Sequence, residues 1–200
     1  MPSSGLVDQN VIAEAVAVLR QGWLIIIPTD TVYGVAACLE NTKGVNMLHR
    51  IKDRPVDKPI PILAFDCMKI ENIKAQFGKK ARELARRFWP GPLTLVLPAN
   101  NGWEGFRIPN HPVALAIIKA AGGLMRVTSA NLSGNSPALT AAAALNELGN
   151  GVKLAVDSGP APGGRPSTVV KIENEKAIIL REGAISAHAV YEVCHQLKHD

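Results

Sequence analysis

Aromatic side chains are scarce: Phe, Trp and Tyr make up 4% of the 200 residues. That leaves few platforms for stacking unpaired bases and argues against a sheet that reads single-stranded RNA. Cysteine is limited to Cys38, Cys67 and Cys194, an odd number with wide spacing and apolar neighbours. Neither a disulfide framework nor a Cys-x-x-Cys zinc site can be built from them, so they read as packed, reduced thiols. No apolar run approaches the length of a membrane span, and Met1-Pro2-Ser3-Ser4-Gly5 lacks the basic start of a leader. A soluble cytoplasmic protein without membrane contact is expected. Gly-x-Ser-x-Gly does not occur, which removes the nucleophile elbow of a hydrolase. His195 and His199 stand four apart, but in the last six residues and with no acidic or histidine partner. They read as a solvated tail, and no metal site is expected.

What the chain has is apolar content, 47% of the residues, spread evenly enough to fill one core. One domain over 1–200 is expected, with its motif-bearing part at about 22–186. The net charge of +5 favours an anionic partner, either a nucleotide or a nucleic acid. Val11, Ala15, Val18 and Leu19 share a helical face, with Asp8 or Asn10 to cap it and Gly22 to end it. A strand follows over Trp23–Pro28, an extended stretch over Val32–Leu39, and a helix that Asn41-Thr42 begins and Val45, Leu48 and Ile51 turn inward. Further strands are predicted at Ile60–Phe65, Leu93–Leu97, Phe106–Ile108, Leu124–Thr128 and Leu154–Val156. Ser167–Ile172 should pair with Ala177–Leu180 as a hairpin. Helices are expected at Lys79–Phe88, Val113–Ala121, after Thr140, and over Ala187–Leu197. Alternating helices and strands that close on a hairpin imply an α/β fold with a twisted, mixed parallel and antiparallel sheet.

Polar residues concentrate where strands end. Pro28-Thr29-Asp30-Thr31-Val32-Tyr33-Gly34 follows the apolar run Trp23–Ile27, and Thr128-Ser129-Ala130-Asn131-Leu132-Ser133-Gly134 closes a later strand. Between them, Lys52-Asp53-Arg54-Pro55-Val56-Asp57-Lys58-Pro59 crowds cations into a segment whose prolines oppose a helix. Lys52, Arg54, Lys58, Arg107 and Arg181 adjoin element ends, and Thr29, Thr31, Ser129, Asn131 and Ser167 add neutral donors. Together they offer what a triphosphate requires: delocalised positive charge, forked donors and hydroxyls for non-bridging oxygens. The loop Gly159–Pro166 has P-loop glycine spacing, with Arg165 in place of the lysine. Pro166 and the strand formers Thr168-Val169-Val170 follow, however, whereas a P-loop opens a helix.

Pro28–Gly34, Lys52-Asp53-Arg54-Pro55, Ser129–Gly134 and Pro166-Ser167-Thr168-Val169-Val170 resemble, in order and spacing, the YrdC/TsaC family of threonylcarbamoyl-AMP synthases. The resemblance implies a YrdC-like sheet around a large, positively charged cavity. It also implies a nucleotidyltransferase that joins L-threonine, bicarbonate and ATP into threonylcarbamoyl-AMP with release of pyrophosphate. The product would pass to a tRNA threonylcarbamoyl transferase complex acting on tRNA position 37. Lys52 and Arg54 resemble the family's Lys-x-Arg pair and Ser129 and Asn131 its Ser-x-Asn pair, which are catalytic and bind ATP. Arg107 and Arg181 are similar to further ATP-binding positions, and Thr29, Thr31, His111 and Ser167 to threonine-binding ones. Mg²⁺ is implied as the escort of ATP. The segment between Thr94 and Arg107 is shorter than the family's, with Asn100-Asn101-Gly102-Trp103 in place of a longer connection. The chain ends soon after its last helix, so the C-terminal domain of longer relatives is expected to be absent. A non-catalytic RNA-binding module of the same fold, or weak RNA binding beside catalysis, remains an alternative, as does a paralogue acting on another carbamoyl compound.

Overall fold

The computed structural model describes residues 7–55, 59–99 and 102–196. Lys58, His199 and the Asn100-Asn101 pair lie outside the described residues. The chain opens with helix α1 (Gln9–Arg20), capped by the Asp8 carboxylate, which accepts from the Asn10 amide at 2.8 Å. Gly22, at a φ of +81°, turns the chain into β1 (Leu24–Ile27). β2 (Gly34–Cys38) leads to α2 (Thr42–Ile51). Asn41 caps α2 through Gly44 N while its amide donates to Arg20 O, so one side chain joins two helices. There follow β3 (Ile62–Ala64), α3 (Cys67–Asn72), α4 (Lys79–Phe88), β4 (Leu93–Ala99), β5 (Gly102–Arg107), α5 (Pro112–Ala120) and β6 (Leu124–Ser129). The last elements are α6 (Ala141–Leu148), whose N-cap is Thr140, then β7 (Val152–Ala155), β8 (Thr168–Glu173), β9 (Lys176–Arg181) and α7 (Ala187–Gln196).

The nine strands among the described residues form one sheet in the order β7-β1-β2-β6-β3-β5-β4-β8-β9. β1 and β7, β3 and β5, and β4 and β8 run parallel, and the other neighbours antiparallel. Three apolar clusters cover this sheet unevenly. Around β1, β2 and β6, one face packs through Ile25, Ile27 and Val127 on α1 and α5, and the other through Leu24, Ile26 and Val35 on α2 and α6. Around β4, β5 and β8, Leu93, Leu95, Leu97, Phe106 and Val170 pack on α4 and α7. The opposite face of that half, carrying Thr94, Val96, Trp103, Gly105, Arg107, Val169 and Lys171, has no helix over it and walls a cavity.

Beyond shifts of a residue or two at element ends, the structure departs from the sequence-based expectations as follows. The buried face of α1 is Ile12, Ala15, Val16 and Leu19, with Val11 and Val18 at its margins. The stretch expected to extend from Val32 begins as a strand only at Gly34, because Thr29–Tyr33 forms a turn closed by side-chain hydrogen bonds. β3 occupies only Ile62–Ala64 of the predicted Ile60–Phe65. β4 and β5 are longer than predicted and pair antiparallel up to Ala99↔Gly102. α3, stabilised by the Asp66 carboxylate accepting from Lys69 N, carries Cys67 exposed, so that thiol is not packed.

Candidate active site

The cavity has a volume of about 1020 Å³, at the upper end of the range for small-molecule sites. It draws together Thr29, Thr31, Arg54, Arg107, Ser129, Ser167 and Arg181 from segments far apart in sequence. Lys52, Asn131 and His111 do not line it, and Lys52 and Asn131 are buried. Five cations and one acid, Glu104, contribute to the lining. Among the described residues Arg107 pairs with Asp30, Arg126 with Glu104 and Lys171 with Glu173.

The Thr29–Tyr33 turn is a directed chain of hydrogen bonds. Thr29 Oγ1 donates to Val32 O at 2.6 Å, which uses its only proton. The 3.0 Å contact between the two threonine hydroxyls therefore runs from Thr31 to Thr29. Thr31 in turn accepts from Arg107 Nη1 at 2.9 Å. Arg107 further donates from Nε to Gly91 O at 3.0 Å and from Nη2 to Asp30 Oδ1 at 2.6 Å. Burial pushes its pKa down, and the Asp30 charge opposes the shift. Each guanidinium nitrogen thus has an internal acceptor, and Arg107 organises the turn. Sequence alone does not reveal that occupation. His111, next to the turn, has its pKa lowered by burial, again opposed by Asp30, and its buried Nδ1 has no partner among the described residues.

Lys52, the C-cap of α2, is 6% exposed. Its Nζ donates to Ser129 O at 2.9 Å and to Asn131 O, while Ser133 Oγ donates back to Lys52 O at 2.5 Å. Desolvation lowers its pKa to about 8, with Arg54 adding to the fall and Glu147 opposing it. Asn131 donates both amide protons, to Leu132 O at 2.8 Å and Asn135 O at 2.9 Å, and its buried Oδ1 accepts nothing from the described residues. A buried acceptor without a donor costs about 1–3 kcal/mol, a cost that an incoming donor relieves.

Arg54 and Arg181 face the cavity, with Arg54 Nη2 donating to Pro59 O at 2.9 Å. Arg181 donates from Nη2 to Ser167 O at 2.8 Å and Ser167 Oγ at 3.3 Å, and Ser167 shares a 2.9 Å hydrogen bond with Thr94. Burial lowers the pKa of both arginines. The loop after β7 arches over the threonine turn: a Cβ on Gly163 would lie 2.5 Å from Asp30 O. Tyr33 anchors that loop by donating to Gly159 O at 2.6 Å and accepting from Ser158 N at 3.1 Å. A strand, β8, follows the loop, consistent with the exclusion of a P-loop.

Several site residues are not apparent from sequence. Arg126 makes a bidentate pair with Glu104 at 2.6 and 2.8 Å and donates to Ile60 O, crossing beyond the end of β3. A lone arginine inside the strand pattern Leu124–Ser129 is the signal that points to it. Lys171 lies 3.9 Å from the centroid of Trp103 on the open sheet face, a cation–π contact that depends on strand register.

Fold and site together define an α/β protein whose half-covered sheet holds hydroxyls and guanidinium groups over one open face. Residues 17–183 match the family model of Sua5, YciO and YrdC, whose description is "Telomere recombination", and the chain belongs to that family. It is 35% identical over 193 residues to the threonylcarbamoyl-AMP synthase of Bacillus subtilis (strain 168), covering 91% of this chain and 56% of that protein. It is also 35% identical to the putative threonylcarbamoyl-AMP synthase of Mycobacterium tuberculosis (strain CDC 1551 / Oshkosh), covering 91% of this chain and 88% of the relative. The structure of Pyrococcus abyssi Sua5 complexed with L-threonine superimposes with a TM-score of 0.86 at 30% identity, over 91% of this chain and 56% of that one. Escherichia coli YciO shares the fold, with a TM-score of 0.82 at 23% identity, over 92% of this chain and 94% of that one. The mixed sheet expected from sequence is therefore the family's own. No helix among the described residues is long and apolar enough to cross a membrane.

Proposed function

We propose that the chain forms L-threonylcarbamoyl-AMP and pyrophosphate from L-threonine, bicarbonate and ATP, as a nucleotidyltransferase. The adenylate would serve N6-threonylcarbamoyladenosine modification of tRNA position 37, passing to a tRNA threonylcarbamoyl transferase complex. The observation that carries this reading is the meeting of Arg181, Ser167 and Thr94 with the Thr29–Thr31 turn in one cavity that Arg54 also faces. An amino acid and a triphosphate fit side by side there. The names of the relatives support the same product, and the threonine bound to the Pyrococcus protein supports threonine as a substrate.

In this reading the threonine amine attacks the bicarbonate carbon, water departs, and a carbamate forms. A carbamate oxygen then attacks the α-phosphorus as the bond to pyrophosphate breaks, so no protein nucleophile is required. The protein aligns the reactants and stabilises the charge that shifts onto the leaving group, through Arg54 and Arg181 on the phosphates. Ser129 supplies a neutral contact at the reacting group, with Asn131 and Lys52 behind it. The Thr29–Thr31 turn, Ser167 and His111 form the threonine end. Among the described residues no three His, Cys, Asp or Glu side chains gather as a cation cage. Mg²⁺ would enter as part of the substrate, on triphosphate oxygens and water. Pyrophosphate release with MgATP, omitting L-threonine or bicarbonate in turn, tests the assignment: release requiring both is expected. Release without threonine, or none at all with tight salt-sensitive RNA binding instead, would overturn it.

A further inference from the structure

The Ser129–Asn135 turn is held from outside the cavity by a residue no motif contains. Glu147, in the last turn of α6, accepts at Oε1 from Leu132 N at 2.7 Å and from Asn135 Nδ2 at 2.8 Å. Asn135 O in turn accepts from Asn131 Nδ2 at 2.9 Å. The same segment receives the Lys52 ammonium on Ser129 O and Asn131 O, and Ser133 returns a bond to Lys52 O. One carboxylate thus closes a loop of contacts running α6, the turn, the end of α2 and back. We propose that Glu147 is a positioning residue that holds the Ser129–Asn135 turn, and with it Lys52, in the arrangement the reaction uses.

Three features support a specific role over generic packing. Glu147 is half-buried and its bonds go to the turn, so it is not a solvated helix charge. The α6 face that enters the core is Ala141, Ala144 and Leu148, which leaves Glu147 unnecessary for docking the helix. Its charge also acts on Lys52, where it opposes the effects of burial and of Arg54. The turn in question ends β6 and supplies Ser129, which lines the cavity, and Asn131. Displacing such a segment by a fraction of an ångström loses alignment rather than binding.

This inference rests on the proposed synthase reaction for its kinetic readout but has a second readout that needs no turnover. Glu147→Ala removes both acceptor and charge, whereas Glu147→Gln keeps an acceptor oxygen and removes only the charge. Amide hydrogen exchange at Leu132 is expected to accelerate in Glu147→Ala and to stay protected in Glu147→Gln. In pyrophosphate release, Glu147→Ala should lower kcat about ten- to a hundredfold with a smaller change in KM for threonine. In Glu147→Gln the alkaline limb of the pH profile should move to lower pH, because Lys52 loses its acidic neighbour. A helix packing role alone would leave that limb in place. Unchanged Leu132 exchange in Glu147→Ala overturns the positioning role even if the wild type releases no pyrophosphate. So does wild-type kcat in Glu147→Ala, or an unmoved alkaline limb in Glu147→Gln.

Discussion

Replacing Asp30 with alanine should damage stability and the threonine end of the site together. The Asp30 and Arg107 side chains are 11% and 7% exposed and meet at 2.6 Å. Asp30 also accepts from Asn110 N at 3.1 Å. Asp30→Ala leaves a guanidinium buried without its counter-charge, and breaking such a pair costs about 3–5 kcal/mol. At about 2–4 °C per kcal/mol for a domain of this size, the melting temperature should fall by roughly 6–20 °C. The double variant Asp30→Ala/Arg107→Met removes both charges and should recover much of that loss, because the penalty comes from the unpaired ion. Thermal unfolding by circular dichroism at pH 7 measures both variants. L-threonine titration of the double variant then asks whether the Arg107–Thr31–Thr29 chain shapes the site, and weakened binding is expected despite regained stability. A melting temperature for Asp30→Ala within about 2 °C of wild type would refute the reasoning, since an exposed pair contributes only about 0–1 kcal/mol.

Lys52 makes a pH prediction. Its folded pKa of about 8 lies below the ordinary 10.5, so the unfolded chain binds more protons between these values. The destabilising effect of the buried charge is fully present below about pH 8 and fades as pH rises towards 10.5, so this residue's contribution favours the fold at higher pH. Activity should move the opposite way, falling above about pH 8 as the ammonium that tethers the Ser129–Asn131 carbonyls is lost. A pH–rate profile flat from 7 to 10 would contradict the assignment. Arg181→Ala and Arg54→Ala should each lower kcat/KM for ATP about a hundred- to a thousandfold without unfolding the protein, measured by pyrophosphate release. Wild-type turnover in both would sink their phosphate roles. Gly163→Ala should raise KM for threonine, because its Cβ would press on Asp30 O and lie 2.9 Å from Thr31 Cα. An unchanged KM would show that the loop and turn move independently.

Much of the fold was legible because the elements announce themselves. Asp8, Asn41 and Thr140 cap their helices as their sequence positions indicate, and the terminal hairpin forms β8 and β9. What sequence did not show was either short or dependent on partners distant in the chain. α3 has six residues, too few for a periodic pattern. Residues of the cavity wall came to notice through local density of hydroxyls and cations, as at Thr29–Thr31 and Ser129–Asn131. What those groups bond to was out of reach, because Arg107 meets Asp30 across 77 positions and Lys52 meets Asn131 across 79. Glu104 and Arg126 lie on strands either side of β3 and meet beyond its end, a pairing that depends on strand register.

The half-covered sheet makes the ligand a missing structural layer. On β1, β2 and β6 both faces are sealed by helices, whereas β4, β5 and β8 are sealed on one. Backbone hydrogen bonds should open first in the second half, since fewer apolar contacts oppose water entry there. Substrates lying on Thr94, Val96, Gly105 and Val169 would supply the second cover. Occupancy would then be felt as stiffening of these three strands at once, making the loaded protein a more uniformly cooperative unit than the empty one.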